Sequence, residues 1–360
     1  MPIPDLHTQE TREVAGATTN SRFRFQTNLA IVELCKLYED SPSDFAVLIE
    51  HFDDLTIIEF DEDPGLTFVQ IKAKSAGKWT INSLVKCDVK APSPSSIIGR
   101  LYQNASAFTA DVKALEFVSN APYSVKLSSG SKCSSEATDI KGTTFHTEES
   151  AKIHNVLEPD FPSPRAPECV DVLRLRKTDL SPSDAQTYVV GRLSQIVEAD
   201  GGTFAPVSAL YKTLFADLLS KASRVDSYSS TDELLAEKGL TKADFSRLLQ
   251  NSKATGRFER LKDLITEDLR DHGFTTIERA RIIATCNKFM ANRSRGEFAE
   301  TQIGDAARKA LSEDPAQIEN APSIFDAAET LRSTLEIELK FPTGLLLAGC
   351  LVSIAEGLDA

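Results

Sequence analysis

The spacing of apolar positions changes character near the middle of the chain. Before about residue 180, short apolar runs alternate with helical stretches, and after it the helical period dominates. In the segment Arg22 to Glu39, Ile31, Leu34, Cys35 and Tyr38 follow i, i+3, i+4, i+7 and share one helix face. Ala46 to Glu50 and Leu55 to Phe60 (LTIIEF) are strand-type runs, followed by a Pro-Gly turn in Asp61 to Gly65. Thr67 to Ala73 (TFVQIKA) alternates, so Phe68, Gln70 and Lys72 share one face of a strand while Val69 and Ile71 take the other. Thr80 has the character of an N-cap for a helix beginning at Ile81. Ile97 to Phe108 is helical, and Leu115 to Ser119 is a further strand ended by Asn120-Ala121-Pro122. Residues 1–20 are polar and expected to be mobile, and residues 128–147 are rich in Ser, Thr and Gly and read as a long loop. Phe161 to Pro167 carries three prolines and is a candidate linker, although Cys169 to Leu175 alternates like one more strand. Beyond it the expected helices include Ser208 to Ser220, Thr231 to Lys238, Thr241 to Leu249, Arg257 to Leu269, Thr276 to Ala291 and Ile324 to Leu339. The order of elements predicts an α/β domain over residues 1–180 and an all-α helical domain over residues 181–360, with no fixed-period repeat.

Composition narrows the class. The 360 residues are 41% hydrophobic and 26% charged, as in globular proteins. No apolar run reaches the ~18 residues of a membrane span, and the polar N-terminus lacks a signal pattern, so a cytoplasmic protein without membrane attachment is expected. The six cysteines are scattered, with no metal-binding spacing, and read as reduced thiols. The net charge is −13, and division after Arg165 leaves both parts acidic, at −7 and −6. General attraction to nucleic acid is therefore not expected. A DNA-acting site would need a local basic patch or a partner that supplies the grip. The phosphate loop Gly-x-x-x-x-Gly-Lys-Ser/Thr is absent, as are His-Glu-x-x-His and paired Cys-x-x-Cys, so neither ATP hydrolysis nor a usual zinc site is expected.

One grouping carries chemistry. Asp53 and Asp54 precede the second strand, and Gln70 and Lys72 lie in the third. The 15 residues between Asp54 and Gln70 suffice for one strand, a turn and half of the next. A hairpin would bring an aspartate, an amide oxygen and a lysine to one sheet edge. Mg²⁺ takes hard oxygen ligands and commonly only one or two protein carboxylates. Asp54 and Gln70 would supply oxygens, and Lys72 would offset charge on a phosphodiester under attack. The same residues equally fit a solvated strand edge with a surface lysine, and spacing leaves open whether Asp53 or Asp54 faces inward.

Six pieces in order extend the signal. They are Gly16-Ala17-Thr18 with Phe23-Arg24-Phe25-Gln26; Ile49 to Leu55 (IEHFDDL); Val69 to Lys74 (VQIKAK); Trp79-Thr80; Ile98 to Tyr102 (IGRLY); and Phe117 to Pro122 (FVSNAP). Over residues 12–127 the chain resembles the double-stranded DNA endonuclease domain of CD-NTase-associated anti-phage effectors, in the PD-(D/E)XK restriction-endonuclease-like superfamily. Arg174 to Ser181 (RLRKTDLS) is a candidate extension. The resemblance implies a mixed central sheet, Mg²⁺ or Mn²⁺ as cofactor and double-stranded DNA as substrate. It aligns Asp54 with the superfamily's metal-binding aspartate, Gln70 with its second acidic position and Lys72 with its lysine. Gln for Asp or Glu removes one negative ligand, although the resembled family itself tends to carry Gln there.

Glu33 is a further candidate ligand. It lies seven residues from Gln26 on the helix face opposite the apolar stripe, and the superfamily often brings a residue of its first helix to the metal. Lys72, Lys74, Lys78, Lys86 and Lys90 fall within 19 residues beside one acid, Asp88. Lys74 and Lys78 are placed to meet the phosphate backbone, and an ordinary solvated face fits them as well. Trp79 reads as a packing residue, and His51 reads the same way.

The helical half carries no catalytic signature. Its apolar C-terminal stretch, Phe341 to Ile354, suits burial in its own bundle or an interface. No match to the cyclic-oligonucleotide sensor (SAVED) of the resembled effectors is visible. Relatives of the nuclease domain also act as stand-alone nucleases encoded with a HerA-type hexameric translocase ATPase. The resemblance thus implies a bacterial endonuclease that self-associates or docks such an ATPase. The alternatives are a nuclease gated by a cyclic oligonucleotide, and a non-catalytic adaptor for the ATPase.

Overall fold

The computed structural model describes residues 15–60, 64–87, 96–108, 112–157, 170–199, 207–224, 227–294, 296–316, 320–335, 337 and 340–357. The linker expected at Phe161 to Pro167, the acidic part of the Asp61 to Gly65 turn and Lys90 lie outside them.

The chain divides into two compact units. One holds Met1–Arg192 with Thr213–Lys242, and the other holds Leu193–Lys212 with Ala243–Ala360. In the first, helix α1 (Ala15–Asp40) precedes a hairpin series of β1 (Phe45–Ile49), β2 (Leu55–Glu59) and β3 (Gly65–Ile71). Helices α2 (Ile81–Leu84) and α3 (Ile97–Phe108) lead to β4 (Val112–Ser119). Then come β5 (Asp139–Lys141), α4 (Thr147–Leu157) and β6 (Leu173–Lys177). Helices α5 (Ala185–Ala199) and α6 (Val207–Ala222) run across the unit boundary, and α7 (Thr231–Lys238) leads into β7 (Gly239–Thr241). The seven strands lie in the order β5-β6-β4-β3-β2-β1-β7. The β1–β2–β3 pairs are antiparallel, while β3–β4 and β4–β6 are parallel. The central sheet is therefore mixed, in an α/β unit followed by helices, as the sequence implies.

Sequence chemistry explains several elements. Thr80 caps α2 with its hydroxyl on the Ser83 N–H, and Ser83 returns the bond to the Thr80 backbone, a reciprocal capping box. The period-two pattern of β3 is realised: Gln70 pairs with Phe117, and Val69 with Glu116. Paired residues point to the same face and successive residues to opposite faces. Phe68, Leu115, Phe117, Leu173 and Leu175 join Ile81, Ile98, Leu101 and Tyr102 in one apolar core. Helix α1 is less amphipathic than its periodicity suggests, because residues 25–35 are all buried, Gln26, Thr27, Asn28 and Glu33 included. Thr27 and Asn28 satisfy themselves locally, donating to the carbonyls of Phe23 and Arg24 at 2.8 and 2.7 Å.

The break expected at residue 180 falls instead after Arg192, within α5, and Thr213–Lys242 belongs again to the first unit. Gly239–Thr241 returns to the sheet, where Leu48 pairs with Gly239 and Ala46 with Thr241. A three-residue strand is too short to show a period, which is why it reads as part of a helical region. Residues 128–147, expected as a loop, contain β5 and a short 3₁₀ turn. The strand expected at Cys169 to Leu175 begins at Leu173.

The second unit is helical. Helix α8 (Lys242–Asp271) runs unbroken where the sequence suggested two helices. It is followed by α9 (Thr276–Ser294), α10 (Phe298–Glu313), α11 (Ile324–Thr334) and α12 (Thr343–Gly357). Residues Ala348 to Ala355 are buried all round α12, the first of the two alternatives that the apolar C-terminal stretch left open. A Cβ on Gly349 would come within 2.4 Å of Ile303, so the close approach of α12 to α10 requires glycine there. Among the described residues no helix is long and apolar enough to cross a membrane.

Candidate active site

The site is built on the turn from β1 to β2. Glu50 has φ of 51°, the one positive value among the described non-glycine residues, a left-handed conformation that L-residues rarely adopt. Its N–H donates to the Asp54 carbonyl at 3.2 Å, closing the turn. Register then does the rest. Leu55 pairs with Val69, so Asp54 stands opposite Gln70 just beyond the paired residues.

Three donors converge on one oxygen of Asp54. The Ile71 N–H reaches Oδ2 at 2.7 Å, Lys72 Nζ reaches it at 3.3 Å, and Gln70 Nε2 donates to the same atom. Gln70 is 3% exposed, and the Asp54 and Lys72 side chains are 11% and 34% exposed. The hairpin thus brings together Asp54, Gln70 and Lys72. Asp53 is turned elsewhere: its Oδ1 accepts the Asp54 N–H at 2.8 Å and its Oδ2 accepts Asn104 Nδ2 of α3 at 3.1 Å. Of the two aspartates, Asp54 faces the lysine and the glutamine.

The electrostatics are those of partly buried carboxyls packed close together. Burial, and then the charge of Asp54, push the Asp53 carboxyl up to about 7. Burial and Asp54 also raise Glu50, against the pull of Lys72 and Lys238. Burial and Lys238 lower His51, whose ring packs edge-on against Phe52 at 4.3 Å. Both shifts come first from burial, which disfavours the charged carboxylate, and only then from the like charge of Asp54. Among the described residues no three His, Cys, Asp or Glu side chains form a ready-made metal cluster. A hard divalent cation does not require one, because amide and backbone oxygens and water complete its shell. The oxygen donors of Asp54 and Gln70, with the Glu50 carboxyl close enough for Asp54 to act on it, fit such a cation.

Glu33 does not join this group, a correction to the sequence expectation. Its carboxylate takes Arg176 of β6 at 2.9 Å, and Arg176 also holds Glu116 of β4 at 2.7 Å. Glu116 pairs with Val69 and Gln70 with Phe117, so the network faces the opposite side of the sheet from Gln70. A buried carboxylate on a first helix has the same sequence appearance whether its partner is a metal or a distant arginine.

The lysine-rich segment is held close by. The Lys74 backbone exchanges two hydrogen bonds with the Asn120 side chain, at 2.8 and 3.0 Å. Its ammonium lies 4.3 Å from the Trp79 ring centre and donates to the Lys78 carbonyl at 2.9 Å. Lys78 and Lys86 are exposed. Trp79 is anchored by Nε1 to Ser119 Oγ at 2.8 Å and by an edge contact with Phe117 at 4.9 Å, which is a packing role. Sequence reasoning missed Asn104 and Lys238. Asn104 sits in a helix without a motif, and Lys238 lies far along the chain.

The arrangement sets a carboxylate and an amide beside a lysine where the interior strands β2 and β3 meet the β1–β2 turn, the kind of grouping that metal-assisted phosphodiester hydrolysis uses. No curated protein matches the chain. Residues 14–166 match the model of the family described as Cap4, dsDNA endonuclease domain, the family to which the six sequence pieces point.

Proposed function

We propose that the chain is a metal-dependent endonuclease of bacterial anti-phage defence that hydrolyses phosphodiester bonds of double-stranded DNA. The observation that carries this reading is the convergence of Gln70, Lys72 and the Ile71 N–H on Asp54, inside the stretch that matches a DNA endonuclease domain. Asp54 and Gln70 would hold Mg²⁺ or Mn²⁺, and the bound ion would supply Lewis-acid activation of phosphate and water. Lys72 places its ammonium where charge grows on the scissile phosphate. Lys74 and Lys78 lie along the segment that follows and would hold the backbone of the duplex.

The net charge of −13 bears on regulation. A chain this acidic gains little from general attraction to DNA, so a partner that encloses the duplex would complete the grip. The helical unit is the candidate region for self-association and for docking a HerA-type hexameric ATPase. The setting would be the bacterial cytoplasm.

Cleavage of supercoiled plasmid with Mg²⁺ or Mn²⁺, against EDTA, tests the proposal beside Lys72→Ala. That substitution leaves Asp54 two of its three donors, so the fold is expected to survive while cutting is lost. Asp54→Asn is a better partner variant than Asp54→Ala, which would orphan three donors. Full cutting by pure Lys72→Ala protein would remove the assigned site. If the wild-type chain is silent with every metal, the same assay with the ATPase present separates a partner-dependent nuclease from an adaptor.

A further inference from the structure

We propose that Lys238, contributed from beyond the matched stretch, is a positioning residue of the nuclease site, fixing through the Glu50 carbonyl the turn that presents Asp53 and Asp54. The inference rests on the nuclease reading above for its consequence in catalysis, and on geometry alone for the positioning itself.

Lys238 is 3% exposed, and lysines are seldom buried so fully without a specific partner. Its Nζ donates to the Glu50 carbonyl at 2.9 Å. Glu50 is the left-handed residue of the β1–β2 turn, and such a conformation persists only where its surroundings over-determine it. Two bonds do so here. The Glu50 N–H is held by the Asp54 carbonyl, and its own carbonyl is held by Lys238. The second bond orients the peptide that leads to His51, and so the short path to Asp53 and Asp54.

The chain is built to deliver this lysine. Ser230 caps α7 by accepting the Glu233 N–H at 3.1 Å. The helix then ends on Gly239, where a Cβ would meet the Leu235 carbonyl oxygen at 2.6 Å. β7 follows directly, with Gly239 opposite Leu48. That register sets Lys238 level with Ile49, one residue short of Glu50. The strand pairing thus aims the ammonium at the turn. With Lys72, Lys238 is one of the two lysines whose charge acts on Glu50. A bland packing lysine would bury its stem and leave the ammonium in water. Here the ammonium is seated on a backbone carbonyl of the site.

Lys238→Met keeps the stem and removes the donor, and Lys238→Gln keeps a neutral donor. In full-length protein, hydrogen exchange is read on peptides covering residues 49–55, with β5 as an internal control. Plasmid cleavage is read for kcat and KM separately. The expected result for Lys238→Met is faster exchange at 49–55 alone and kcat lower by roughly 10- to 100-fold, the usual size of a supporting-shell effect. KM for DNA should stay within about twofold, since no substrate contact is lost. Lys238→Gln should recover part of both. A folded Lys238→Met protein with wild-type exchange at 49–55 and wild-type kcat would overturn the proposal. If Lys238→Met does not fold, Lys238→Leu, which also lacks the donor, is judged on the same exchange criterion. A wild-type protein that never cuts would overturn the nuclease reading instead, and the exchange data would still decide the positioning claim.

Discussion

Replacing Glu33 separates two roles that a buried first-helix carboxylate can play. Glu33 and Glu116 are each 6% exposed, and Arg176 bridges them at 2.9 and 2.7 Å. Arg176→Met would leave two buried carboxylates facing each other, with only the more exposed Lys36, 3.9 Å from Glu33, and Arg174, 4.0 Å from Glu116, to offset them. Removing one partner of a buried ion pair costs about 3–5 kcal/mol, against about 5–15 kcal/mol for a whole domain. Glu33→Gln is milder, because Arg176 keeps Glu116 and gains a neutral acceptor. The expected loss is about 1–2 kcal/mol, the gap between a charged and a neutral hydrogen bond. The single tryptophan, Trp79, lies in the sheet unit against Phe117, so its fluorescence during urea unfolding reports on that unit. Burial raises the Glu116 carboxyl, and Arg176 is the chief group holding it down. Without Arg176 it rises further, and the folded variant binds a proton that the unfolded chain releases. The deficit of Arg176→Met should therefore shrink as pH falls from 7 towards 5. Glu33→Gln should cut DNA at close to the wild-type rate. A folded Glu33→Gln protein that has lost cleavage would refute the assignment and return Glu33 to the metal site.

Asp53 gives a pH signature. Its folded carboxyl titrates near 7 against a usual 3.8, so metal-free stability should fall as pH rises from about 4 through about 7 and then level off. A cation bound beside it would expel the proton. Calorimetric Mn²⁺ titration in buffers of different ionisation heat should show proton release at pH 6.5 and none at pH 8.5, and buffer-independent heats at both would count against it. Gly239→Ala pushes a methyl into the Leu235 carbonyl and should cost about 1–3 kcal/mol in the sheet unit. A urea midpoint unchanged from wild type would show that the helix-to-strand turn has slack.

Much of the first unit is legible in the sequence because its elements are long enough to carry a period. β1 to β4, α2 and α3 fall within a few residues of their expected bounds, whereas α1 begins at Ala15, seven residues before the expected Arg22 and inside the stretch expected to be mobile. Counting residues between Asp54 and Gln70 sufficed to place them opposite each other, since an antiparallel hairpin with a tight turn leaves little choice of register. The illegible parts share one cause. β5 and β7 have three residues each and no period to read. Arg176, Asn104 and Lys238 matter through partners brought close only by the sheet. The helix boundary expected between Leu249 and Arg257 does not exist, because α8 continues through the weak helix formers of that stretch.

β7 also bears on where the nuclease unit can be cut from the rest of the chain. β1 reads Phe-Ala-Val-Leu-Ile and is buried along its whole length. Among the described residues, its outer edge pairs with Gly239 to Thr241. A polypeptide ending at residue 166, the limit of the family match, would leave that edge open, a flat apolar template for pairing with other chains. During synthesis the same edge stays bare until more than 70 further residues have left the ribosome, so the nascent nuclease is most vulnerable to aggregation before its own downstream strand arrives.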